Sequence, residues 1–219
     1  MTERTDIAVF DLDGTLAPGN IGAVFVRYLL RRGACGLRAR LLVWLIYPLY
    51  RLGLLDFKYA LLLGAYALCG LDERRVEELA RECFEREIKA RVFADGLREI
   101  ARCKEQGRIV VLATGAHQAI ASVFAAYAGA DRLVAASSAV KAGRYTLFVH
   151  RPLPYREGKR DLVAALIREY PGKAHLTVYT DEEKDLALLR LADAPVAVNA
   201  DGAVRDYVAS RGGRIVAFR

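Results

Sequence analysis

Short, wholly apolar runs recur along the chain, with longer amphipathic stretches between them. Residues 7–10 (Ile7, Ala8, Val9, Phe10), 108–113, 176–179 and 195–199 read as strands covered on both faces of a parallel sheet. Ile21, Val24, Phe25, Tyr28 and Leu29 recur at helical spacing instead. A helix is therefore expected from the N-cap Asn20 to Arg32, with Gly33 ending it. Val76, Leu79, Cys83 and Ile88 predict a polar amphipathic helix over 72–91, capped by Asp72. Further helices are expected over 96–106, stopped by Gly107, and in the small-residue segment up to Ala128. Another runs over 161–170, opened by residues 157–160 and closed by Pro171 and Gly172, and one more lies between 199 and a last strand at 214–218. Residues 132–135 and 144–149 read as strands, the second in a hairpin turned at 141–143. Strands alternating with helices predict an α/β domain.

One region breaks the alternation. Residues 41–50 are wholly apolar or aromatic, and 59–71 repeat that character, with Arg51, Asp56 and Lys58 between them. Neither run reaches the ~20 residues of a membrane-spanning helix, and Pro48 and the charges interrupt the whole. Two readings stand: a buried helical pair, which could also form a dimer surface, or a hairpin dipping into one leaflet of a membrane. Charge favours the second. Between residues 17 and 71 lie Arg27, Arg31, Arg32, Arg38, Arg40, Arg51 and Lys58 against Asp56 alone, a surplus of six out of a net +7. A basic cluster beside Trp44, Tyr47, Tyr50, Tyr59 and Tyr66 suits an anionic lipid surface. Nucleic acid, the other usual partner of a basic chain, has no use for a long apolar run. Trp44, Leu45 and Ile46 would then contact lipid, with Arg31 and Arg32 at headgroup level.

The length of 219 residues allows a real core and one domain with an insertion. Cys35, Cys69, Cys83 and Cys103 show no metal-ligand spacing and read as small buried side chains in a reducing compartment. The first six residues lead straight into a strand, so no secretory signal is expected. No repeat or low-complexity tract appears.

The chemistry concentrates after the first strand, in Asp11, Leu12, Asp13, Gly14, Thr15 and Leu16. Two carboxylates two residues apart in an extended segment point the same way, at the sheet edge where open α/β sheets bind ligands. Gly14 permits a tight turn, and the Thr15 hydroxyl is placed to hold it. Thr114 and Gly115 follow a second strand, and Lys159 opens a helix. Asp181 and Asp185 start at a strand end and enter a helix, where one can reach a metal while the other braces its surroundings. His117 reads as a local capping or packing residue.

These positions, in this order, resemble the four motifs of the haloacid dehalogenase superfamily, and the stretch at 11–15 resembles its DxDGT motif. The resemblance implies a doubly wound, mostly parallel, Rossmann-like core over 1–19 and 94–219, with a helical cap inserted at 20–93. It implies a Mg²⁺-dependent phosphomonoester hydrolase. Asp11 is then the nucleophile that forms an aspartyl-phosphate, and Asp13 the general acid/base. Thr114 donates to the phosphoryl group, Gly115 contacts substrate, and Lys159 neutralises the nucleophile and the phosphoryl oxygens. Asp11, the backbone carbonyl of Asp13, and Asp181 hold the metal, with Asp185 behind them. Relatives often carry small residues at the places of Thr180 and Glu182, so Glu182 adds charge to the site, slows turnover or faces solvent. The insertion's position resembles the phosphoserine-phosphatase-like branch. Within that branch, the octamer at 25–32 followed by an apolar hairpin resembles the phosphatidylglycerophosphatase C group. That points to a lipid phosphate such as phosphatidylglycerophosphate, on a cytoplasmic protein peripheral to the inner face of the membrane, with a homo-oligomer possible. A phosphatase of a soluble metabolite, with the apolar cap used for packing or dimerisation, is the alternative, and a catalytically dead binding domain is the third reading.

Overall fold

The computed structural model of the protein describes residues 4–52, 54 and 57–219. Asp56, counted above as the one acid of the basic region, lies outside the described residues, as do residues 1–3 and the side chains of Arg38, Tyr47, Tyr50, Arg51 and Lys58.

Six parallel strands form the centre: β1 (Thr5–Phe10), β2 (Ile109–His117), β3 (Arg132–Ala136), β6 (Ala174–Thr180), β7 (Ala194–Val198) and β8 (Arg214–Val216), in the order β3-β2-β1-β6-β7-β8. A two-stranded antiparallel hairpin, β4 (Ser138–Lys141) and β5 (Arg144–Val149), stands apart from that sheet. The helices are α1 (Ile21–Arg31), α2 (Leu37–Arg51), α3 (Phe57–Leu68), α4 (Glu73–Cys83), α5 (Ala94–Glu105), α6 (Gln118–Ala128), α7 (Glu157–Ile167), α8 (Leu186–Leu189) and α9 (Gly202–Ser210).

The apolar runs explain the layering. Along β1, Ala8 and Phe10 enter one core and Ile7 and Val9 the other, because successive strand side chains point to opposite faces. Val110 and Leu112 against Val111 and Ala113 repeat the division on β2. The first core takes α1, α4, α5 and α6 through Phe25, Leu79, Ile100 and Phe124; the second takes α7, α8 and α9 through Val163, Leu188 and Val204. Phe10 and Tyr179, paired in register on β1 and β6, stack at 4.1 Å. The expected doubly wound α/β fold is thus present.

Several expectations are corrected. The helix over 72–91 begins as foreseen, with Asp72 accepting from Arg75 N, but passes at Phe84–Ile88 into a π turn and then a 3₁₀ turn. The widened turn keeps Cys83, Phe84 and Ile88 all buried. Strand β2 does not stop at residue 113. It runs to His117 with a register shift against β3 beyond Ala113, and within that irregular stretch the Thr114 hydroxyl accepts from Ala116 N at 3.0 Å. Cys69 is exposed, unlike the other three cysteines.

Helices α2 and α3 pack on each other, and no helix among the described residues is long and apolar enough to cross a membrane. Ala39 and Val43 face inward from α2, while Leu37, Leu41, Trp44 and Leu45 form an outward stripe at helical spacing. Trp44 is 77% exposed, so the reading of a helical pair buried within its own chain fails for this face.

Candidate active site

The site sits where the strand order changes direction. From β1 the chain moves outward through β2 and β3, then crosses to β6 on the other side, leaving a crevice at the carboxyl ends of β1 and β6. Asp11 follows β1 directly, its N–H donating to Tyr179 O of β6 at 2.9 Å. The next residues fold back tightly, with Leu16 N and Ala17 N both donating to Leu12 O and Gly14 N donating to Ala17 O. Gly14 has φ +87°, and a Cβ there would sit 1.9 Å from an Asp181 oxygen, so only glycine lets the two segments approach.

Asp11, Asp13, Gly14, Gly115, Lys159, Asp181, Glu182 and Asp185 line one cleft of about 340 Å³. Lys159, from the first turn of α7, is buried and donates to Asp11 Oδ1 and Asp185 Oδ2, each at 2.6 Å. Thr180 donates to the same Asp185 oxygen at 3.0 Å, fixing the carboxylate that fixes the lysine. The Thr15 hydroxyl donates to Asp181 Oδ1 at 3.0 Å, so it secures a carboxylate of the site as well as standing in the turn. Asp13 Oδ1 accepts from Ile21 N, at the start of α1, at 2.7 Å. Asn199 Nδ2 reaches Gly14 O at 3.2 Å from the end of β7. Thr114 is fully buried one residue behind Gly115. Glu182 is partly exposed and paired with Lys184, so its charge is met locally.

Burial makes Asp11, Asp13 and Asp181 weaker acids by raising their pKa values. It lifts Asp11 well above the carboxylate range against the pull of Lys159, and Asp13 to about 7 against the Ile21 N–H. Asp181 is pushed up to about 6 by burial, against the Thr15 hydroxyl. Burial alone would lower Lys159, but Asp11 and Asp185 override it and hold the ammonium charged. Two buried aspartates, Asp11 and Asp185, and two half-buried ones, Asp13 and Asp181, share one lysine, so the site is rich in acids and short of positive charge.

A divalent cation fits that deficit. Asp11 Oδ2 is buried with no hydrogen-bond partner, an oxygen left over after Lys159 has taken Oδ1. Among the described residues no three acidic, His or Cys side chains converge as a cation site. Asp11 and Asp181 could hold a cation here together with a backbone carbonyl and water, a donor set of the kind Mg²⁺ takes.

Thr180, Asn199 and the Ile21 N–H were not anticipated as parts of the site. Nothing local in the sequence marks Asn199, because its role exists only once β7 lies beside β6. His117 behaves as expected: it caps α6, accepting from Ala119 N through Nδ1, and its Nε2 lies 3.3 Å from Ser138 Oγ.

The sequence profile of the haloacid dehalogenase-like hydrolases matches residues 8–190, a span that includes every residue of the cleft. The chain belongs to that family. A probable phosphatase of Mycobacterium tuberculosis is 29% identical over 151 residues, which cover 68% of this chain and 52% of that protein. The chain thus spans about half the length of the curated relatives it matches. A Bordetella pertussis protein of unknown function superposes with a TM-score of 0.87 at 23% identity, covering 98% of this chain and 99% of that one. A phosphoserine phosphatase solved as a phospho-aspartyl intermediate analogue superposes at 0.66 with 17% identity, covering 98% and 94%. These structural likenesses establish the fold.

Proposed function

We propose that the protein hydrolyses phosphomonoesters through an aspartyl-phosphate on Asp11. The observation that carries this reading is the treatment of Asp11: one oxygen is pinned by a buried ammonium, and the other, equally buried, is left without a partner. A purely structural carboxylate would have both oxygens satisfied. In the first step Asp11 attacks phosphorus while Asp13 gives its proton to the departing alkoxide. Asp13, now a carboxylate, takes a proton from water, whose oxygen attacks the phosphorus and releases phosphate and free Asp11. A group titrating near 7 can serve in both directions at neutral pH. Lys159 stays charged and offsets the phosphoryl oxygens; Gly115 bounds the cleft on the β2 side, with Thr114 buried behind it. Bound by Asp11, Asp181 and the Asp13 carbonyl, Mg²⁺ would supply the positive charge that lets an anionic nucleophile meet an anionic phosphate.

For the substrate, the exposed apolar face of α2 favours a membrane lipid phosphate such as phosphatidylglycerophosphate over a soluble metabolite. Arg31 and Arg32, expected to face headgroups, are paired with Glu87 and Glu82, so contact with lipid rests more on the exposed Trp44 and Leu45, Ile46 being only half exposed. The test is phosphate release from lipid and soluble phosphomonoesters, with Mg²⁺ and with chelator, followed by acid-quench capture of a labelled phosphoenzyme. Label on Asp11 is expected; label elsewhere, or turnover that ignores chelator, overturns the mechanism.

A further inference from the structure

A second cavity, of about 440 Å³, lies between α1, α2, α3 and the end of β2. Its walls are Phe25, Val26, Leu29, Val43, Leu63 and Leu68, with few polar groups among them. Its two ends differ. At the inner end it adjoins the acidic cleft, because Asn20 and Gly115 line both cavities. At the outer end it meets Trp44, on the exposed apolar stripe of α2. Small residues keep the passage open. A Cβ at Gly22 would come within 3.3 Å of Asn20 Oδ1, and at Gly64 a Cβ would meet nothing closer than Val26 Cγ2 at 3.8 Å.

We infer that this cavity holds a hydrocarbon chain of the substrate while the phosphate sits in the acidic cleft. The inference rests on the phosphatase reading and adds the place in the fold that would hold the alkyl or acyl chain of an amphiphilic phosphomonoester. A phosphate site at one end, apolar walls and an apolar surface at the other match the two halves of such a molecule. The volume lies in the range of ligand pockets, about 300–1,000 Å³. Apart from Asn20, Arg27, Arg40 and His117, those walls offer a soluble polar metabolite little to bind.

The experiment measures kcat/KM for n-alkyl phosphates from ethyl to dodecyl below their micelle concentrations, with p-nitrophenyl phosphate as the chainless reference. Each methylene that enters the cavity should raise kcat/KM about three- to fourfold until the cavity is full. Gly64→Leu and Val26→Phe should end that rise at a shorter chain and leave p-nitrophenyl phosphate turnover unchanged. Gly64→Ala, for which there is room, should behave as wild type. Phosphatidate in vesicles separates the two sources of a chain: turnover of free alkyl phosphates assigns uptake from water, and chain-dependent turnover from vesicles alone assigns uptake from the bilayer. p-Nitrophenyl phosphate turnover with no dependence on chain length overturns the inference and spares the phosphatase. If no phosphomonoester is turned over, the phosphatase reading has failed instead. Titration with dodecyl phosphonate then decides the cavity alone, which must bind it in wild type and lose it in both filled variants.

Discussion

The acidic cleft and the α2–α3 pair depart from ordinary packing in opposite ways. In the cleft, charged groups are buried and tied down: Lys159 to two carboxylates, Asp185 to Thr180, Asp181 to Thr15. On α2, large apolar side chains stand in water, with Leu37, Leu41, Trp44 and Leu45 outside while Ala39 and Val43 are inside. Both arrangements cost stability, the first by desolvating charge and the second by leaving apolar area uncovered. Each cost makes sense when something else completes the region, an anionic substrate and a cation for the cleft and an apolar partner for the hairpin. The contrast can be broken at either end.

The largest effect is expected at Asp11. Asp11→Asn keeps the shape of the side chain but removes the proposed nucleophile, and turnover should fall by more than about 10³-fold. Circular dichroism should be unchanged, and with Asp11's raised pKa the amide should melt no lower than wild type. Retained turnover in this variant would move the chemistry to another residue.

Lys159→Met should show what the cleft does for the fold. Removing a buried cation from between two carboxylates costs about 3–5 kcal/mol, which for a chain of this size lowers Tm by roughly 10 °C. The loss should shrink on acidification. Asp11 already resists ionisation, and a protonated carboxyl has no need of the lysine. A pH-independent loss would mean that Lys159 matters for packing alone.

How much of this was legible in the sequence follows from range. The strands at Ile7 and Leu176 were visible because burial on both faces leaves a continuous apolar run. The helix from Asn20 was visible because its cap and its stripe are local; Asn20 does accept from Ala23 N. The cleft acids were found through a spacing that resembles a known motif. The residues that steady them were harder to read, since Thr15 reaches Asp181 across 166 positions and Asn199 reaches Gly14 across 185. The π turn at Phe84 and the extension of β2 to His117 depend on tertiary partners, which no local pattern encodes. For α2 and α3, hydropathy announced two apolar helices but could not say which side would be covered.

His117 provides a smaller and pH-dependent effect. It is neutral in its buried place, with burial lowering its pKa to about 4 from the usual 6.5. The unfolded chain therefore takes a proton near pH 6.5 that the folded chain refuses until about pH 4. Stability contributed by this residue is present above pH 6.5 and is lost as pH falls, by about 2 kcal/mol between pH 7 and pH 5. Asp13 and Asp181, whose pKa values are raised, act in the opposite sense over the same window. The difference between wild type and His117→Gln isolates the histidine. Denaturant midpoints at pH 7 and pH 5 should converge on acidification, and a constant gap would show that His117 titrates normally.

The smallest effect on stability is expected on the other side of the contrast, at Trp44. An indole 77% exposed has little packing to lose, so Trp44→Ser should change unfolding free energy by no more than about 0.5 kcal/mol. Its effect should appear in association. Trp44, Leu41 and Leu45 share a face, and together they offer the apolar half of a lipid contact. Co-sedimentation with anionic vesicles should fall in Trp44→Ser and further when Leu45 is also changed to Ser, while p-nitrophenyl phosphate turnover stays level. Salt should weaken binding only modestly, since Arg31 and Arg32 are already paired with glutamates of the same chain. If the variant instead loses several kcal/mol, the face is covered within the folded protein. If wild type stays in the supernatant but sediments as a concentration-dependent dimer that Trp44→Ser dissolves, a second copy is the cover.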